Sequence, residues 1–323
     1  MRIDPHVHFR DGEQSYKETI AHGLQLAGEQ GVDIVFDMPN TVSPILTLTD
    51  VEKRLKLVPE TEKHRYYLFV GATGDEQQLT EAVKMVNSVK EVIGIKMFAG
   101  KSIGNLQIIS GCVQKRVYKT LAGLSYKGVL AVHCEKESFM PHYEFNHRVP
   151  FTHTVARPKN AEIESVKDQI RFVQETNFQG TLHICHVSCK ESVELINDAR
   201  RAFPTPMKIT CGVTPHHLLW DDSKLLDKTY GLLYKTNPPL RNLHDVFALR
   251  DKLKRGLIDW IETDHAPHAL GEKLYSGYPS GYPSLYLYKN LVERFLPFRL
   301  GLCHEQVVKL TYGNIVKTFG LEL

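Results

Sequence analysis

The chain has 323 residues, 42% of them hydrophobic and 24% charged, with 40 basic against 37 acidic side chains and a formal charge of +3. That near balance, without a block of Lys or Arg, excludes an electrostatic nucleic-acid or anionic-membrane surface, and no apolar run approaches the roughly 20 residues that cross a bilayer. The N-terminus lacks the charged-then-apolar pattern of a signal peptide, and six cysteines with no C-x-x-C spacing read as reduced thiols. A cytoplasmic chain doing small-molecule chemistry is expected.

In chain order, short apolar runs rich in β-branched residues alternate with longer helical patterns. The strand "RIDPHVHF" precedes the helical stretch "YKETIAHGLQLAGEQ". "VDIVFDMP" and "RYYLFVGAT" come next, then the helix "DEQQLTEAVKMVNSV". "VIGIKMF" and "GVLAVHC" lead to "NAEIESVKDQIRFVQET", and "TLHICHVS" leads to "KESVELINDARRA". "MKITCGV" and "IDWIETD" are followed by "LYLYKNLVERF" and "HEQVVKLTYGNIVKTF". Strands alternating with helices imply parallel βαβ units, and eight of them suit a closed (β/α)8 TIM barrel of the α/β class better than an open sheet. With no repeat, low-complexity tract or linker, residues 1–323 are read as one domain.

The polar residues on these strands fall in one place. His6 and His8 end the first strand on one face, since side chains alternate, with Arg10 third on that face. Asn40 follows the second strand, Lys96 sits in the fourth, His133 ends the fifth, His186 the sixth and Asp264 the eighth. All lie toward strand C-termini, the rim where such barrels build active sites. A single histidine there reads as packing, but four with an Asp read as a metal site, with zinc first and Mn²⁺, Co²⁺ or Fe²⁺ as competitors. Lys96 is the odd member, because an ammonium in "VIGIKMF" is costly and is repelled by a metal. Either it pairs with a carboxylate or it has been converted to something anionic.

The set "DPHVHFRDG", "DMPNT", "GIKMF", "AVHCE", "LHICHVS", "TPHHL", "NPPLR" and "ETDHAPH" followed by "EK" resembles the dihydroorotases of the amidohydrolase superfamily, in the right order from residue 4 to about residue 285. The resemblance implies two divalent metal ions and a Lys96 carboxylated by CO₂ that bridges them. It gives His6, His8 and Asp264 to one ion and His133 and His186 to the other. It further implies reversible interconversion of N-carbamoyl-L-aspartate and L-dihydroorotate in pyrimidine biosynthesis, with Asp264 shuttling the proton. Arg10, Asn40 and His268 would bind the free carboxylate, Asn237 would be a further substrate contact, and a lid loop carrying Ser102 would close over the substrate. A homodimer and association with aspartate transcarbamoylase are family expectations.

Some features depart from that pattern. Ser284 and Tyr286 stand where Gly and Glu are common, and Gly212 where some relatives place a Glu. The short segments before His6 and after the last helix leave no material for the β-sandwich of many relatives, so a bare barrel is expected. Cys134 and Cys185, beside His133 and His186, are expected on the opposite strand face, against helices. His216 and His217 are read as bracing the seventh loop, and Tyr275, Tyr278 and Tyr282 as a rigid surface loop. A hydantoinase, dihydropyrimidinase or allantoinase would share the metals but needs no Arg10, Asn40 and His268 for a carboxylate. A silent scaffold would have lost ligands, and a Schiff-base lysine would leave four histidines idle.

Overall fold

The computed structural model describes residues 1–101, 105–141, 144–202 and 207–322. Eight strands follow one another around a single sheet: β1 (Ile3–Val7), β2 (Ile34–Asp37), β3 (Tyr66–Gly71), β4 (Val92–Ala99), β5 (Val129–Cys134), β6 (Thr181–Ile184), β7 (Ile209–Val213) and β8 (Trp260–Ile261). Each pairs in parallel with the next. The strands are near-continuous apolar runs because both faces are covered, by helices outside and by side chains within.

The barrel closes between β8 and β1 with little regular pairing. Val7 bridges His265, whose carbonyl accepts the His8 N–H at 2.7 Å. The Asp4 carboxylate accepts from the Thr263 N–H at 3.0 Å and from its hydroxyl at 2.5 Å. β8 is shorter than the expected "IDWIETD", because from Glu262 onward the chain serves side-chain contacts and Asp264 turns to φ 50°.

A helix follows every strand, including three that the helical patterns above passed over: Leu48–Leu55, Gly111–Gly123 and Leu243–Lys254. Leu48–Leu55 is announced by a capping box, with Thr47 accepting from the Asp50 N–H and Asp50 answering to the Thr47 N–H. The closing patterns are helical but pass into π-helical turns at Leu291–Arg299 and Lys309–Gly313. Phe319, at the end of the last helix, plugs the barrel's N-terminal end, with ring centroids 5.0 Å from Phe36 and 6.1 Å from Trp260. No described helix is long and apolar enough to cross a membrane.

Candidate metal centre

Strand alternation delivers the donors to the open end of the barrel. His6 Nε2 lies 3.2 Å from His8 Nε2 and 3.5 Å from Asp264 Oδ1, and His8 Nε2 lies 2.9 Å from the same oxygen. All three side chains are buried, and their donor atoms form one three-membered cluster. A second pair stands beside it, with His133 Nδ1 3.2 Å from His186 Nε2 and the His186 ring 5.2 Å from that of His6. Imidazole nitrogens that face each other at this distance need a proton or a cation between them. Two imidazoles and a carboxylate suit a borderline divalent ion, so the residues present fit one.

The outer ring nitrogens are anchored. His8 Nδ1 donates to Asn40 Oδ1 at 2.8 Å and His133 Nε2 donates to Glu135 Oε2 at 3.0 Å, leaving His8 Nε2 and His133 Nδ1 as the inward atoms. Glu135 is itself locked by Arg157 at 2.6 Å. Burial would raise Asp264, but the hydrogen bond and charge of His8, with the charges of His6 and His216, hold it below the ordinary carboxylate range. Burial pushes His8 down to about 4. An ionised Asp264 beside a neutral His8 suits a metal, whereas His6, which burial and Lys96 would lower but Cys185 and Glu262 raise to about 9, would give up a proton on binding one.

Lys96 is fully buried and pairs with no described carboxylate. Its Nζ lies 2.9 Å from Cys185 Sγ and 5.1 Å from the Phe98 ring centroid. This corrects the expectation for Cys185. Cys134 packs outward in the helix-side core, but Cys185 faces the barrel interior. β6 ends at Ile184 and His186 takes φ 38°, so Cys185 keeps the inward parity of His183 while the turn swings His186 inward as well. Burial would raise the Cys185 thiol, but the charges of Lys96, His183 and His6 bring it down to about 5.

A cavity of about 100 Å³ over these donors is lined by Arg10, Asn40, Phe98, Asn237, Ser280 and Gly281, and it adjoins a wider vestibule that shares Lys101, Asn237 and Ser280. Arg10 is buried, its Nε donating to Pro267 O at 3.2 Å and its Nη2 3.2 Å from His268 Nε2. His268 Nδ1 accepts from Lys17 at 3.3 Å and its Nε2 donates to Ser280 O at 3.0 Å. Burial and the charges of Arg10, Lys17 and Lys273 push His268 down to about 2, so it is neutral, with Glu272 pairing Lys17 at 3.3 Å beside it. Asn237 Oδ1 is buried without a partner among the described residues. Ser102 lies outside the described residues.

Ser284 binds His216 Nδ1 at 3.0 Å, and His217 bonds Thr214 and Pro239, so both histidines brace loops. Tyr286 and Tyr275 are exposed, Tyr278 stacks on His147, and Tyr282 packs against Trp220, so none of these tyrosines lines the cavity over the donors. Sequence reasoning missed two buried carboxylates, Glu135 and Glu262. Glu135 was visible as an acid two residues past His133. Glu262 occupies the space over Gly212, the position on the neighbouring strand where some relatives carry a Glu.

No family model matches the chain. Among curated proteins, dihydroorotases of Methanosarcina acetivorans and Lactobacillus gasseri are each 31% identical to it, covering 99% of this chain and 68% and 73% of their own lengths. Among solved structures, the L-hydantoinase (dihydropyrimidinase) from Arthrobacter aurescens matches with a TM-score of 0.82 at 21% identity, over 99% of this chain and 70% of that one. The dihydropyrimidinase from Brevibacillus agri NCHU1002 gives 0.81, also at 21%. At that identity the structural likeness shows the barrel fold alone.

Proposed function

The chain belongs to the dihydroorotase family of cyclic-amide hydrolases, and from that premise we propose that it interconverts N-carbamoyl-L-aspartate and L-dihydroorotate, a step of pyrimidine biosynthesis. His6, His8 and Asp264 would hold one divalent ion, zinc first, and His133 and His186 a second, with Lys96 carboxylated by CO₂ and shared between them. When bound, such ions polarise the amide carbonyl and lower the pKa of water.

The protein's own groups do the rest. In hydrolysis Asp264 takes the proton of the attacking water and passes it to the departing ring nitrogen. In cyclisation it takes the proton from the carbamoyl nitrogen. Asn40 spends its Oδ1 on His8, so its amide Nδ2 is the atom left to donate to substrate. Arg10 offers a planar fork to the free carboxylate, and His268, tied to Lys17 and Ser280, stands at its tip.

The observation that supports this reading most is the buried Arg10 guanidinium, which lines the same cavity as the donor cluster. An uncharged cyclic amide has no use for it. The test is turnover of dihydroorotate and carbamoyl aspartate against dihydrouracil, hydantoin and allantoin, with Arg10→Gln alongside. Arg10→Gln removes the charge and the fork and is expected to weaken carboxylate binding by about 2 to 5 kcal/mol while metal content stays. Preference for an uncharged ring, or an Arg10→Gln variant with the parent's KM, rejects the substrate assignment.

A further inference from the structure

Glu262 has no part in the reaction just described, yet it is fully buried among the donors. Its Oε2 accepts from His183 Nε2 and from Trp260 Nε1, each at 2.9 Å. Its Oε1 accepts the backbone N–H of His186 and lies 3.6 Å from His6 Nδ1. No Lys or Arg pairs with it among the described residues. Among the described residues His6 Nδ1 has no hydrogen-bond partner, and His6 Nε2 is the atom turned to His8 and Asp264. Glu262 thus faces the spare ring nitrogen of one donor set and grips the main chain of the other, where His186 turns at φ 38°.

The neighbouring strand makes room for it. A Cβ built on Gly212 would stand 2.3 Å from Glu262 Oε2 and 2.4 Å from its Cδ, so no side chain fits at 212 while the carboxylate is there. We propose that Glu262 is a positioning residue of the metal centre, holding His6 with Nε2 as its ligand atom and His186 in its turned backbone, and that Gly212 is bare to admit it. The inference rests on the metal reading above. A carboxylate behind a ligating imidazole fixes its tautomer and orientation, and losing such a partner typically weakens metal binding 10- to 100-fold.

His6, Cys185 and Glu262 also bring their donor atoms within 4.8 Å of one another. Three N–H groups already occupy that carboxylate, which makes it an acceptor for its neighbours rather than a metal ligand.

The experiment measures zinc affinity by chelator competition, the visible spectrum of the cobalt(II)-loaded protein and the unfolding temperature of the metal-free protein, for the parent, Glu262→Gln and Gly212→Ala. Both variants are expected to bind zinc on the order of 10- to 100-fold more weakly and to shift the cobalt bands. A change in metal-free unfolding temperature with unaltered zinc affinity and spectrum is the signature of packing alone and overturns the proposal. A third zinc equivalent in the parent, lost in Glu262→Gln, overturns it by making Glu262 a ligand. A parent that binds no zinc overturns this inference together with the metal reading, whereas a zinc-loaded parent matched by its variants overturns this inference alone. Should Glu262→Gln not fold, Gly212→Ala, which keeps the carboxylate and displaces it, decides.

Discussion

Lys96 concentrates the chemistry of the centre in one side chain. A fully buried amine whose described neighbours are a thiol at 2.9 Å and an aromatic ring has no carboxylate to neutralise it. The proposed conversion to a carbamate would supply the oxygen donors that the four histidines and Asp264 leave short. Lys96→Ala is therefore expected to lose at least one metal and nearly all turnover, with partial recovery in short carboxylic acids that occupy the vacated space. Full metal occupancy and activity in that variant would remove Lys96 from the centre. What made such residues legible in the sequence was parity: His6, His8 and Lys96 lie where period-two alternation on apolar strands puts them. Cys185 was misread for the same reason, because alternation holds while a strand continues and β6 stops at Ile184. The positive φ at His186 and Asp264 turns both side chains into the site, and local composition does not signal a left-handed turn at a His or an Asp.

At the scale of elements, the loops after the strands do the positioning, and they were the least readable part. The segment after β8 carries a buried lysine, Lys273, whose Nζ donates to the carbonyls of Lys235 at 3.1 Å, Pro279 at 3.1 Å and Gly281 at 2.8 Å. It ties the β7 loop to the turn that presents Ser280 and Gly281 to the cavity. Gly281 is needed there, since at φ 143° a Cβ would stand 2.5 Å from Ala266 O. Lys273→Met keeps most of the stem and removes the donors, leaving carbonyls unpaired at a cost of about 1 to 3 kcal/mol. The expected result is a KM for the carboxylate-bearing substrate raised on the order of tenfold with metal content unchanged. An unaltered KM would show that the turn holds its shape without the lysine. The sequence displays "EK" and a Tyr/Gly/Pro run here, but a buried lysine amine bonded to carbonyls of two loops is a tertiary fact that no local pattern encodes.

Across the whole molecule, the barrel itself was the most legible feature, because eight apolar runs separated by amphipathic stretches admit few topologies. Less visible was how many neutral histidines the fold buries. Burial, with the charges of Lys235 and Arg157, pushes His153 down to about 3, and burial pushes His216 down to about 4. His153 joins the β5 and β7 loops by donating from Nε2 to Thr236 O at 2.8 Å. The unfolded chain takes up a proton at each such histidine as pH falls through about 6.5, whereas the folded chain does so only near the lower values. Between those limits the unfolded state binds more protons, so stability rises with pH across the window and is lost on acidification. Asp4, pushed up to about 6 by burial, acts with the opposite sign between 3.8 and that value, so the informative quantity is a difference between variant and parent rather than either curve alone. His153→Gln keeps a donor for Thr236 O and cannot titrate. Relative to its own stability at pH 7.5, it is expected to lose about 2 kcal/mol less than the parent at pH 5, from 1.5 pH units at about 1.4 kcal/mol each. Denaturant unfolding of both proteins at the two pH values measures this, and parallel losses would show that His153 does not carry the acid sensitivity of the barrel.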